Sequence, residues 1–168
     1  MPHPISPLGA LHTVISTVTF VVGLYSLGRH RQILPESRTG KFYLAGMLVS
    51  VLTAFGLSST GGFNAGHALG IVALLAIGGA LLIPRLRLLG RARPYLAQLG
   101  FSFSFFLLLV PGINETLTRL PTAHPLAAGP ESPLVRGALL GWLAIFMLGA
   151  ALQGLWLRAR HRRQALAR

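Results

Sequence analysis

The sequence predicts an all-α integral membrane helical bundle of five transmembrane helices, with the N-terminus outside and the C-terminus in the cytoplasm. Three observations carry this expectation. With 52 % hydrophobic and 11 % charged residues and a mean hydropathy of +0.64, the 168-residue chain is too apolar for a soluble domain of its size. Five apolar runs are long enough to cross a hydrocarbon core of about 30 Å as helices. The cations fall on alternate connections between those runs, as a multi-pass protein requires.

The first helix, 8–27, follows "MPHPISP", which carries no arginine or lysine; the arginines come after it. A secretory leader has the reverse pattern, so this segment reads as a retained helix inserted N-out. The second, 42–59, follows "ESRTGK", where Gly40 permits a tight turn, Lys41 snorkels to headgroups and Tyr43 suits an interfacial aromatic belt. The third spans 66–84. The fourth, 95–113, ends in "VPGINET", where Pro111 and Gly112 are expected to break the helix and deliver Asn114 and Glu115 to the outer face. The fifth, 135–157, carries Trp142 and Trp156 as belt residues. Residues 1–157 thus form one transmembrane domain, and 158–168 a basic cytoplasmic tail.

Orientation follows from "GRHRQILPESRTGK", "RLRLLGRAR" and "RARHRRQALAR", which together carry most of the fifteen basic residues and fall on one side. The positive-inside rule makes that side cytoplasmic, in a bacterial inner membrane. A net charge of +12 would suggest nucleic acid in a soluble protein, but here no interleaved aromatics or recognition helix accompany it. The expected partners are the lipid bilayer, its anionic headgroups, and another membrane span or copy of the chain. The absence of cysteine excludes disulfides, thiolate catalysis and cysteine-ligated metals.

Small and polar residues recur at helical spacing: His12, Ser16, Thr19 and Gly23 in the first helix, Gly46, Ser50 and Thr53 in the second, His67, Gly70 and Gly78 in the third. Gln98 and Ser102 lie one turn apart in the fourth, and Gly137 and Gly141 make a small-xxx-small pair in the fifth. Such stripes are packing seams in lipid, or else the walls of a polar cavity. In the predicted topology His12 and His67 lie at the outer face, and Asn114, Glu115 and His124 are brought to the same level. Ser16 stands one turn from His12. Imidazoles and a carboxylate on one side are ligand types for a haem or a divalent metal, with His12 and His67 as the cofactor-binding pair. The plainer alternative is that both histidines are hydrogen-bonded helix-end residues. His3, before a proline, reads as exposed, and His30 and His161 lie among arginines.

Four stretches, "LHTVISTVTFVVGLYSLGRHR", "RTGKFYLAGMLVSVLTAF", "GGFNAGHALGIVALLAIGGALL" and "FFLLLVPGINETLTRLP", resemble a bacterial family of uncharacterised multi-pass membrane proteins with histidines in the first and third helices. The resemblance covers about residues 8 to 121. His12, Gly40, Tyr43 and His67 match its recurring positions. Ser37 and Arg38 stand where the family has a His-Arg pair, and "RARPYLAQ" lacks a histidine before the fourth helix, which implies a reduced multi-histidine site. The resemblance implies no particular activity.

No nucleophile with a partnered base, phosphate loop or carboxylate pair is apparent, so the sequence points away from an enzyme. All three acids, Glu36, Glu115 and Glu131, lie outside the predicted helix cores, which leaves a transporter without buried ion-pair chemistry. The leading expectation is a non-enzymatic accessory, assembly or binding protein. The alternatives are a membrane haem- or metal-binding redox module and a small-solute or lipid transporter.

Overall fold

A computed structural model describes residues 6–57, 62–121 and 123–167. His3 and the last two residues of the predicted second helix lie outside them. The described chain is all-helical, with helices α1 (Pro7–His30), α2 (Arg38–Phe55), α3 (Ala65–Leu82), α4 (Arg93–Arg119) and α5 (Pro133–Leu166). Two short 3-10 turns, Ile83–Arg85 and Arg87–Ala92, join α3 to α4. Four segments are long and apolar enough to cross a membrane: α1, α3 with its following turn, α4 with its preceding turn, and α5. α2 is not among them, because its first turn carries Arg38 and Lys41.

The helix starts are set by local chemistry. Ser6, Ser37 and Ser132 each accept a backbone N–H of the first turn, supplying a partner that the helix lacks. At α3 the cap is Asn64, which accepts from the His67 N–H at 3.1 Å while the His67 ring accepts the Asn64 N–H at 3.3 Å. This is a capping box with histidine in the place usually held by Glu or Gln. At Gly90 the backbone takes φ +46° and ψ −123°, open to glycine, and the turn it makes leads into α4.

α4 is the central helix, touching α1, α3 and α5, while α1 packs on α2 and α2 on α3. The core between them holds Tyr43 and Met47 of α2, Ala73, Ile77 and Ala80 of α3, and Phe101 and Phe105 of α4. Phe20 of α1 stacks on Phe105 with ring centroids 5.1 Å apart. Outside, Leu, Val and Ile side chains stand exposed along α1, α3 and α5, and no residue in the most apolar stretch of α5 is buried. That surface is costly in water and is what a bilayer solvates.

The small-residue stripes of α1 and α2 are seams. A Cβ at Gly46 would lie 2.1 Å from the Thr19 hydroxyl oxygen, and one at Gly23 would lie 2.7 Å from the Phe105 ring. Gly46→Ala should therefore lower stability by about 1–2 kcal/mol through overpacking, and Thr19→Ala in the same chain should recover most of that loss. Unfolding midpoints of the two single variants and the double variant in mild detergent measure the coupling.

Three sequence expectations change. α4 continues through Pro111 for eight residues to Arg119, since a proline removes one N–H but leaves the rest of the ladder intact. Asn114 and Glu115 are consequently helical. Tyr43 and Trp142 are inter-helix pins instead of belt residues: the Tyr43 hydroxyl, fully buried, donates to Ser104 at 2.8 Å, and the Trp142 indole donates to the Phe106 carbonyl at 2.9 Å. The basic tail extends α5, which at 34 residues is about 51 Å long.

Candidate functional site

The three basic connections meet at one end of the bundle. Gln153 of α5 donates to the Arg31 carbonyl at 2.8 Å, and Gln98 of α4 donates to the Ile33 carbonyl at 3.3 Å. Both hydrogen bonds fasten the α1–α2 loop, where Ile33 is fully buried and Gln32 nearly so. Gly40 admits this loop: a Cβ there would stand 1.8 Å from the Leu34 carbonyl oxygen.

The sequence-predicted residues lie toward the other end. Thr53 donates its hydroxyl proton to backbone carbonyls of its own helix, Val49 at 2.9 Å or Ser50 at 3.0 Å. Toward His12 it therefore accepts, and the 2.9 Å contact with His12 Nδ1 places the ring proton on Nδ1. His12 Nε2 then presents its lone pair to Ser16, 3.4 Å away, and Ser16 is bonded to Ser50 at 2.7 Å. The result is a polar chain of four side chains joining α1 to α2.

His67 is 5 % exposed and is held on every side. Its Nε2 faces the Ala54 carbonyl at 3.0 Å, an acceptor, so Nε2 carries the proton and Nδ1 the lone pair that receives the Asn64 N–H. Its ring stacks on Phe55 at 4.8 Å and meets Phe63 at 5.7 Å. Thus His12 and His67 grip adjacent residues of α2, Thr53 and Ala54, from opposite neighbours.

Among the remaining predicted residues, Glu115 pairs with Arg119 one turn on, both well exposed. Asn114 has a buried Oδ1 that accepts no hydrogen bond among the described residues. His124 stands exposed in the α4–α5 loop. Among the described residues no group of three or more His, Asp or Glu side chains converges in a way that would hold a metal ion.

A haem held between two histidines needs a free lone pair on each ring. His12 has one on Nε2; on His67 both nitrogens are committed to backbone partners. The donor set does not fit bis-histidine ligation without dismantling the start of α3. Ser16 beside His12 has the outline of a nucleophile and base, yet its shorter bond is to Ser50, and the group behind the imidazole is a threonine hydroxyl where a hydrolytic triad has a carboxylate.

Sequence spacing did not reveal Gln98, Ser102 and Gln153 as a connected set. Ser102 donates to Gln153 at 2.8 Å, and the two glutamines secure the loop. Amides spaced along apolar helices were the available signal. Comparison of the chain with family models, with curated proteins and with solved structures gives no match.

Proposed function

We propose that the chain is a non-enzymatic, multi-pass accessory or assembly protein of a bacterial inner membrane, with its basic end in the cytoplasm. All five helices cross in this reading. α2, too polar at its start to qualify by composition, is covered on two sides by α1 and α3, and its Arg38 and Lys41 belong with the cytoplasmic cations. Convergence of the arginine-bearing connections at one end supports the orientation.

The observation that carries the reading is where the polar side chains spend their hydrogen bonds. His12, Ser16, Ser50, Thr53, His67, Tyr43, Ser102, Ser104 and Gln153 bond to other helices, to the α1–α2 loop or to one another. A protein built to stabilise its own bundle leaves its outer faces for association. α5 has such a face: Cβ atoms placed at Gly137, Gly141 or Gly149 would meet nothing within 4 Å. Unpacked glycines four apart on a membrane helix allow a second helix to approach closely. The resemblance through His12, Gly40, Tyr43 and His67 supports the same reading, since all four are packing contacts here.

The chain has no cysteine, which makes the test direct. Cysteine introduced at Gly137 or Gly141 should yield a disulfide- or bismaleimide-linked species in native membranes, against a second copy or a partner carrying a thiol. Gly28→Cys, at an equally open glycine on α1, should not. Equal crosslinking at all three positions, or none at any, would remove the α5 interface from the proposal.

A further inference from the structure

The basic end contains a cavity of about 820 Å³ between the α1–α2 loop, the α3–α4 turns and the last turns of α5. Arg85, Arg93 and Arg160 are among the residues that line it. The volume is in the range of small-molecule sites. Glu36 also lines the cavity, leaving three guanidiniums against one carboxylate.

The arginines are set in place but not neutralised. Arg93 donates from Nε to the Gly90 carbonyl at 2.9 Å and from Nη1 to Pro84 at 3.4 Å; Arg85 donates to Leu81 at 3.1 Å. Arg160 lies over the Trp156 ring, 5.4 Å from its centroid. The two ion pairs among the described residues, Arg119–Glu115 and Arg136–Glu131, involve none of them. Each guanidinium thus keeps donors for an anion, and a planar fork of N–H groups suits phosphate oxygens.

We infer that this cavity is a binding site for one anionic glycerophospholipid, with its phosphate held among Arg85, Arg93 and Arg160. The site rests on the chain being embedded in a bilayer, and is independent of any association through α5. It differs from the diffuse attraction of a basic tail for an anionic surface, because it needs particular arginines.

Native mass spectrometry of the full chain in mild detergent tests this, with phosphatidylglycerol, phosphatidylcholine and glycerol phosphate offered separately. One equivalent of phosphatidylglycerol should be retained, and phosphatidylcholine should not. Arg93→Gln with Arg160→Gln should weaken retention at least about tenfold, as expected for removing charged hydrogen bonds. Arg158→Gln with Arg162→Gln, which removes the same charge from residues outside the cavity, should leave retention unchanged. Equal losses in both double variants would reduce the effect to general electrostatics and overturn the site. Glycerol phosphate binding as tightly as the lipid would make the ligand a soluble phosphate ester and overturn the lipid assignment. Arg93→Gln gives up two backbone hydrogen bonds, so Arg160→Gln alone, at an exposed side chain, should also weaken retention, and unchanged retention in that variant would refute the site.

Discussion

Alanine at Gly40 is expected to destabilise the protein by about 3 kcal/mol, the upper part of the range for overpacking, and to reduce the folded protein recovered from membranes. The reason is what the added methyl meets. The Leu34 carbonyl, 1.8 Å from the new Cβ, is backbone, and it is held in place by the Ser37 N–H at 3.0 Å and the Ser37 hydroxyl at 2.8 Å. A side chain would swing aside; this carbonyl has to break two hydrogen bonds to move. Ser37 also caps α2 through the Gly40 N–H, so the damage reaches the helix start. Gly28→Ala is the control, because a Cβ there meets nothing within 4 Å and alanine is the better helix former. Unfolding in detergent with increasing denaturant should separate the two variants clearly. Equal midpoints would mean that the α1–α2 loop does not adopt this conformation.

His67→Ala should cost about 2–4 kcal/mol, combining a lost hydrogen bond to Ala54, an unsatisfied Asn64 N–H, and a void beside Phe55 and Phe63. His124→Ala, at an exposed loop position, should be within about 0.5 kcal/mol of the parent protein. The same samples carry a second readout. If His67 is structural, the purified parent protein should show no Soret band and no bound transition metal, and the variant should differ only in stability. Unchanged stability accompanied by loss of a bound chromophore or metal would return His67 to a ligand role.

Helix number and approximate extent were legible because long apolar runs have few other uses, but only four of the five described helices are long and apolar enough to cross a membrane, and α2 is not one of them. The meeting of the basic connections at one end was equally legible, since it follows from alternation. What the histidines touch was not. Spacing within α1 shows that His12 and Ser16 share a face, but the opposite residues, Thr53 and Ser50, depend on which helix becomes the neighbour. Tyr43 shows the limit most clearly: a tyrosine two residues after a lysine at a helix start has the same pattern whether it faces headgroups or, as here, points inward to Ser104. Pro111 misled for a different reason. In a long membrane helix the flanking turns sustain the axis, so one missing N–H does not end it. The glutamines were underrated because an isolated amide in an apolar run carries no partner information.

The bond from Gln153 to the Arg31 carbonyl spans 122 residues, and that separation bears on biosynthesis. The chain emerges from the ribosome N-terminus first, so the loop between the first two helices is made long before the helix that fastens it. Until α5 has been made and packed, that loop lacks one of its two amide clamps, and the α1–α2 hairpin waits in an unfinished form for it. A chain stopped short of Gln153 therefore carries its defect far from the break, at the Arg31 carbonyl.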